Sequence, residues 1–436
     1  MNIRPTILLV KVLALLLLLT VFQLFYSELS SVVYLCLGLF AVLISVDFVL
    51  AALPVKFAVV RQHSSTVPLG VPSKIKLFIQ NLNKRPVNAE ITDHYPSVHS
   101  VENIPVFVKM ASGQVAEFEY RLTPLERGLF EMKPVEIKIT TLFGFWNRFT
   151  RSGENTEFKV YPNYSEVMKY GILAAEQRLS QMGIMKKRSR GQGTDFHQLR
   201  EFRKGDRLNS IDWKSTSRLH KVISKDYQLE QDQQIFFLLD CGRRMRSMDG
   251  DLSHFDHSIN AMLLLTYVAS RQGDAVGMMT FAGPKRFLPP KKSSSNVNRF
   301  LNTLYDINPT NEAADYIQAA ENLKSTLRKR SMVVILSNLR EEDDKDLQRA
   351  LRILRKRHIV VFAALKEEVF ESEMNCEINN FTDALRYASL NTYLQGREAT
   401  LSSLRQSNII TLDTTPAKLH VEMVNRYFEI KSSSIL

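Results

Sequence analysis

The run Phe236–Met245, FFLLDCGRRM, holds the residues of this chain best placed for chemistry. An apolar, strand-like stretch closes on Asp240, and Gly242, Arg243 and Arg244 follow within four residues. A carboxylate in such a position can accept backbone N–H groups of the next turn, pair with a guanidinium, or ligate a hard cation. Two adjacent guanidinium groups can in turn grip a carboxylate bidentately. The turn has a single glycine, whereas a phosphate-cradling loop needs G-x-G-x-x-G or G-x-x-x-x-G-K-[ST], so nucleotide binding is disfavoured. His197 and His220 are the remaining candidates for proton transfer. Neither has a neighbouring nucleophile with an orienting acid, so no catalytic residue is expected and the chain reads as a non-enzyme. Cys36, Cys241 and Cys376 are odd in number, far apart and without zinc or disulfide spacing.

A second cluster precedes this run. Lys186 to Asp226 contains twelve Lys/Arg against five Asp/Glu, so more than half of the net charge of +12 is concentrated there. Such a surplus attracts anionic lipid, nucleic acid or an acidic protein face. Its motif positions are Gly193, Phe196, Leu199, Arg200, Glu201, Gly205, Asp206, Ile211, Asp212, Trp213, Lys214 and Arg218. Phe196, Leu199, Phe202, Ile211 and Trp213 are expected to pack on a domain while the cations face water, which makes the stretch a docking connector. Gly205 and Asp206 read as a turn, and Asp212 either fixes the backbone or pairs with Arg218. Bases stacked on Phe and Trp would be the nucleic-acid alternative.

The elements that must position Asp240 follow an α/β rhythm. Strands are expected at Gln234–Asp240, Ala275–Phe281, Ser331–Asn338, Ile359–Leu365 and Ile409–Asp413, with helices at Asp256–Gln272, Glu312–Lys329, Asp344–Arg357, Thr382–Gln406 and Pro416–Ile430. Near-continuous apolar strands such as IVVFAAL suit a parallel sheet covered on both faces, and the alternation implies a doubly wound α/β domain. Ligands of such sheets bind at the carboxyl ends of the strands, where Asp240, the loop Ala282–Ser295, Asn338, Arg340 and Asp413 would fall.

Before this domain, Pro54 to Pro162 reads as short alternating strands separated by turns. KIKLFIQ, with Lys74 and Lys76 against Ile75, Leu77 and Ile79, is a strand with one wet and one buried face. An immunoglobulin-like antiparallel sandwich acting as spacer or docking module is expected. A helix is expected at Tyr164–Met182. At the N-terminus, Thr6–Tyr26 and Val32–Leu53 are each long enough to cross a bilayer as a helix. Lys11 and Asp47 would lie at similar depth in an antiparallel pair, and either bond or, for Lys11, snorkel. The turn Ser27–Ser31 lacks Lys and Arg, whereas Arg4, Lys11, Lys56 and Arg61 flank the other ends, so both termini are expected in the cytoplasm. The organisation is thus 1–54 membrane hairpin, 55–163 sandwich, 164–232 connector and 233–436 α/β domain.

A first strand ending in Asp, a short turn and then Met resembles the start of a von Willebrand factor A domain, whose D-x-S-x-S motif holds a divalent cation. The whole chain more closely resembles a bacterial family, domain-of-unknown-function family fifty-eight. The likeness is carried by RGLFEMKPVEI, FGFWNRF, VYPN, GQGTDFHQLREFRKGD, IDWK and FFLLDCGRRM, in this order behind a transmembrane hairpin. The resemblance implies an inner-membrane, multi-pass protein with cytoplasmic soluble domains that works with a MoxR-type AAA+ ATPase. Carried over residue by residue, Asp240 matches the motif's aspartate, but Gly242 and Arg244 stand at its two serine positions. Thr310 falls near the distal threonine, and Asn338 stands where an aspartate would. No cofactor is therefore expected, with magnesium at Asp240 and Thr310 as the alternative. Asp240, Gly242, Arg243, Arg244, Asn338 and Arg340 become a partner site in which arginine supplies the positive centre. An interaction or scaffold protein is the favoured function; nucleic-acid binding through the connector and an uncharacterised envelope enzyme are the alternatives.

Overall fold

In the computed structural model, KIKLFIQ lies in one strand with two faces: Ile75, Leu77 and Ile79 are buried, and Lys74 is exposed. The structure describes residues 2–23, 30–163, 169, 195–203, 206, 208–228, 233–339 and 344–433. All but Lys169 of the expected helix Tyr164–Met182, and the motif residues Gly193, Gly205 and Arg340, lie outside the described residues. The chain divides into two units, Met1–Val160 and Tyr161–Leu436.

The first unit begins with strand β1 (Asn2–Pro5) and two apolar helices, α1 (Ile7–Gln23) and α2 (Ser30–Ala52). Within α2, Val33–Ala52 is long and apolar enough to cross a membrane, and α1 is a shorter apolar helix. Eleven strands follow: β2 (Phe57–Gln62), β3 (Thr66–Pro68), β4 (Ser73–Asn81), β5 (Val87–Thr92), β6 (His99–Glu102), β7 (Val106–Met110), β8 (Val115–Pro124), β9 (Gly128–Met132), β10 (Val135–Thr140), β11 (Trp146–Ser152) and β12 (Thr156–Tyr161). They form sheets ordered β1-β11-β10-β5-β7, β2-β4-β8-β6 and β3-β12-β9. A buried cluster ties the three together. Asp93, just past β5, receives Arg61 of β2 through two nitrogens and the Tyr120 hydroxyl of β8 at 2.6 Å, while Arg61 also reaches Thr156 of β12. Arg61 is thus a core cation with its own carboxylate and not a charge flanking the membrane, because its side chain points to the buried face of β2.

Asp47 also differs from expectation. It is buried, and its carboxylate accepts the Thr141 hydroxyl at 2.6 Å and the Phe145 and Phe143 N–H groups at 3.1 and 3.2 Å, so its partner is the β10–β11 turn and not Lys11, which is exposed. Three donors presented by one turn satisfy a carboxylate more completely than one flexible lysine.

In the second unit, β13 (Asp195–Glu201) and β14 (Ile223–Gln228) form an antiparallel hairpin around a short helix α3 (Trp213–Leu219). A six-stranded sheet follows, built from β15 (Gln234–Asp240), the two-residue strands β16 (Met248–Asp249) and β17 (Leu252–Ser253) beside it, α4 (His254–Arg271), β18 (Ala275–Phe281), β19 (Phe287–Lys291), α5 (Asn296–Leu304), α6 (Tyr316–Thr326), β20 (Met332–Ser337), α7 (Asp344–Arg355), β21 (Ile359–Leu365), α8 (Val369–Met374), α9 (Phe381–Gln406), β22 (Ile410–Thr414) and α10 (Pro416–Ser432). Its order is β19-β18-β15-β20-β21-β22, all neighbours parallel except the β18–β19 edge. Alternate residues of β15 enter different cores. Ile235, Phe237 and Leu239 pack with α4, α5 and α10, whereas Phe236 and Leu238 pack with α6, α7 and α9. Helices therefore cover both faces, which is why these strands carry no polar alternation. The chain leaves β15 toward β18 on one side and returns to β20 on the other, opening a crevice beyond the carboxyl end of β15.

Candidate functional site

Asp240 is the last residue of β15 and is fully buried between the ends of β18 and β20. Both of its oxygens are engaged. Oδ1 accepts the Gly242 N–H at 2.7 Å, and Oδ2 accepts the Ser337 hydroxyl at 2.6 Å. Ser337 is joined at 2.7 Å to the buried Tyr316 hydroxyl. Burial pushes the Asp240 carboxyl up from the ordinary range, opposed by Ser337, by Gly242 and by the charge of Arg244. Of the roles open to Asp240 in the sequence, the geometry carries the acceptance of N–H from the following turn.

That turn is a single 3₁₀ turn, Arg243–Arg246, with Met245 buried beneath it. Arg243 and Arg246 are exposed and Arg244 is half-buried. The segment before α6 roofs the turn: Arg243 donates its N–H to the Glu312 carbonyl at 3.0 Å, and Arg246 bonds Asn311. A Cβ on Gly242 would stand 2.7 Å from that carbonyl, 3.0 Å from Asp240 Oδ1 and 3.1 Å from Ala282 Cβ. Glycine is required here by close approach of backbone, and a serine does not fit. What remains beside Asp240 is a cleft of about 10 Å³ lined by Gly242, Arg243, Arg244, Glu312, Ala313 and Ala314, the size of one water.

Thr310 is near but turned away. Its hydroxyl donates to the carbonyl of Ala282 at 2.8 Å and its N–H to that of Cys241 at 2.7 Å. Ala282 holds a left-handed φ of 57°, a conformation that non-glycine residues seldom adopt. Tested against a hard cation, the set offers one buried, doubly engaged carboxylate beside a guanidinium, and it does not fit. Among the described residues, no three His, Cys, Asp or Glu side chains converge on a point.

Asn338 belongs to a different contact. Its Nδ2 lies 3.3 Å from Nδ1 of the buried His254, whose Nε2 is 3.9 Å from Asp249, so it does not join Asp240. Asp413 is tied instead to Arg397, which also donates to the Leu339 and Leu365 carbonyls and stitches three strand ends together. Sequence reasoning reached the loop Ala282–Ser295 but missed the groove it builds. A groove of about 270 Å³ runs between the β18–β19 turn and α6, sharing Glu312 and Ala313 with the Asp240 cleft. Lys285, Arg286 and Phe287 form one wall, and Asp315 and Gln318 belong to the other.

The connector carries its own small fold. Asp212 caps α3 by accepting Lys214 and Ser215 N–H groups at 3.0 and 3.2 Å, and its ionic neighbour is Lys225 at 3.5 Å instead of Arg218. Asp206 accepts Arg200 through two nitrogens at 2.7 and 2.8 Å and the Arg203 N–H at 2.8 Å, which holds its carboxyl down at about 2. Glu201 pairs with Lys221 at 2.9 Å. Ile211 is half-buried, but Trp213 is 71% exposed and Leu199 41% exposed. The expected packing of Trp213 and Leu199 is thus not found. A two-stranded hairpin with a seven-residue helix has little interior, and Ile223 and Ser224 fill it. Phe196 lies on β13 opposite Tyr227.

Residues 198–374 match the family model described as protein of unknown function DUF58. The matched segment takes in most of the connector hairpin and the Asp240 cleft. Comparison with curated proteins finds no match. Among solved structures, the chain is similar to the CARDB domain of the PF1109 protein from Pyrococcus furiosus in complex with di-metal ions, at 9% identity and TM-score 0.18, covering 24% of this chain and 88% of that one. It is also similar to a cohesin module from Clostridium perfringens, at 12% identity and TM-score 0.17 over 24% and 98%. Escherichia coli alpha-2-macroglobulin matches at 14% identity and TM-score 0.19; the chain covers 9% of that protein with 24% of its own length.

Proposed function

We propose that this protein is a membrane-anchored interaction protein whose second unit is a doubly wound, von Willebrand A-like domain offered to a protein partner. The sheet order supports the domain reading: counted in sequence, β15, β18, β19, β20, β21 and β22 stand in the order 3-2-1-4-5-6, with the third strand antiparallel at the edge. The observation that carries the functional reading is the reversal of charge at the strand end. Asp240 is satisfied from inside by Ser337 and Gly242, and what reaches the surface is Arg243, with Arg244 at the cleft. A guanidinium pair at this position binds a partner's carboxylate without a cation. No metal or other cofactor and no catalytic residue are assigned to the chain in this reading.

The partner that the family resemblance implies is a MoxR-type AAA+ ATPase, whose ATP hydrolysis would supply the work. The anchor is a two-helix hairpin in the inner membrane with soluble parts in the cytoplasm. Both α1 and α2 meet the same β10–β11 turn, through Thr6 and Asp47, which supports a hairpin with both ends on one side. Capture of a MoxR-type ATPase by the full chain in detergent tests this. Capture should persist in chelator without nucleotide and fall at least tenfold in Arg243→Glu/Arg244→Glu. Undiminished capture by that variant, or capture that needs magnesium when no nucleotide is present, overturns the reading.

A further inference from the structure

The β10–β11 turn fixes a level on both apolar helices. Thr6, just before α1, donates its N–H to the Phe145 carbonyl at 2.9 Å and its hydroxyl to the Gly144 carbonyl at 2.6 Å. Asp47 of α2 accepts Thr141, Phe143 and Phe145 of the same turn. Beyond this level each helix has an equal apolar length: α1 has 17 residues, and Ser30–Val46 of α2 spans 30 to 46, also 17. At 1.5 Å per residue each is about 25 Å, close to the thickness of a hydrocarbon core. Trp146, whose Nε1 donates to the Ile44 carbonyl at 3.4 Å, stands at this boundary as interfacial tryptophans do. Leu142 is 81% exposed at the tip of the turn, at this same level.

The rest of α2 continues past the boundary for one turn and a half. Leu50 and Leu53 are three and six residues beyond Asp47, roughly 5 to 9 Å into the headgroup layer. There they line a groove of about 780 Å³ with Lys84, Arg85, Lys109 and Arg148, and no carboxylate is in its lining. Arg148 is used by the fold, donating to the Ala51 carbonyl at 2.9 Å and to that of Leu53 at the end of α2. Lys84, Arg85 and Lys109 are exposed, and among the described residues none of the three is paired with an acid. Lysine elsewhere on the same sheet is neutralised: Lys138 of β10 holds Glu90 at 2.6 Å.

We infer that this groove is a binding site for the headgroup of an anionic phospholipid, with the phosphate between Lys84, Arg85 and Lys109 and the acyl chains running down α2 past Leu142. The inference rests on the membrane anchoring proposed above. A groove at headgroup depth, lined by uncompensated cations and continuous with an apolar helix, matches a phosphate attached to acyl chains better than a soluble anion.

Native mass spectrometry of the full chain, delipidated in mild detergent and titrated with phosphatidylglycerol or phosphatidylcholine, tests it. The wild type should retain one phosphatidylglycerol on the order of tenfold to a hundredfold more tightly than phosphatidylcholine, given three cations at the surface. Lys84→Gln/Arg85→Gln/Lys109→Gln should lose that preference while keeping the wild-type circular dichroism. If it does not, the single variants Lys84→Gln and Lys109→Gln should each show a partial loss. Equal retention of the two lipids, or an unchanged preference in the variants, overturns the inference. Displacement by millimolar glycerol 3-phosphate would assign the groove to a soluble phosphate ester and also overturn it. Alkaline extraction separates the two readings. A chain that stays in the membrane pellet without lipid preference sinks only the groove; a chain that is extracted sinks the anchoring reading and this inference together.

Discussion

Substituting serine for Gly242 would place one serine of the D-x-S-x-S pattern two residues after Asp240, and the packing there dictates the outcome. The new Cβ would meet the Glu312 carbonyl oxygen at 2.7 Å, a backbone atom that cannot swing aside as a side chain can. Moving it breaks the Arg243 N–H bond and shifts the segment that roofs the cleft. Overpacking of this kind costs about 1–3 kcal/mol, and at roughly 2–4 °C per kcal/mol the second unit's melting temperature should drop by about 2–12 °C. Gly242→Ala should lose a similar amount, and any excess stability of the serine variant measures a hydroxyl bond to Asp240. The double variant Gly242→Ser/Arg244→Ser supplies the full oxygen set on paper. If it bound magnesium with the ion at ten times its dissociation constant, binding would return about 1.4 kcal/mol. Differential scanning fluorimetry of the full chain with and without magnesium reads both effects. A serine variant that melts with the wild type would show that Glu312 is not lodged where the structure has it. A magnesium-dependent rise of several degrees in the double variant would refute the steric argument against a cation.

Two further outcomes follow from the titrating groups. Because burial raises the Asp240 carboxyl, its proton-linked stability is present below the unfolded pKa and is lost as pH rises through the folded one. Asp240→Asn keeps an acceptor for Gly242 and can donate to Ser337, so it should melt above the wild type at neutral pH, with the gap closing toward pH 4; a variant less stable at every pH would count against this. Asp206 shows the opposite sign: its carboxyl is held at about 2 by Arg200, so the clasp contributes its full stability above the unfolded carboxylate range and loses it progressively as pH falls from that range through about 2. A carbon-detected NMR titration should give that midpoint in the wild type and an ordinary carboxylate value in Arg200→Gln, and an unchanged midpoint in the variant would refute the clasp.

The parallel strands were legible almost to the residue, since a strand buried on both faces must be a short uninterrupted apolar run, and Gln234–Asp240, Ala275–Phe281 and Ile359–Leu365 have no competing reading of that length. β19 was not, because FLPPK carries two prolines and prolines read as breakers; they are tolerated here since the strand lies at the sheet's edge. The helix expected from Glu312 starts at Tyr316 because Asp315 caps it, accepting the Gln318 N–H at 2.9 Å. At the site, Asp240 was visible from its place at the end of an apolar run, but Ser337, the residue that occupies its second oxygen, is 97 positions away and has no local signature. The same holds for Asp47 and the turn at Thr141, 94 positions away. In the connector, spacing suggested buried anchors, yet burial needs a partner surface, and Trp213 has none in its own hairpin.

Among the described residues, Asp47, Asp93, Asp240 and Asp274 are almost wholly buried acceptor hubs, and they divide by what reaches them. Asp93 receives Arg61 and Tyr120; Asp274 receives Lys431 at 2.7 Å and Tyr427 at 2.5 Å. Each of these has a cation in contact, so charge is neutralised where it is buried, and the pair fixes a core. The bonds given for Asp47 and Asp240 come from hydroxyl and backbone N–H groups. The field of a buried carboxylate acts on whatever charge lies near it. At Asp240 the group that feels it is Arg244, whose charge opposes the rise in the Asp240 carboxyl. A partner carboxylate that engaged Arg244 would weaken that opposition and favour the protonated form of Asp240. If the proposed partner engages Arg244, its binding and proton uptake at Asp240 would be linked in the same direction.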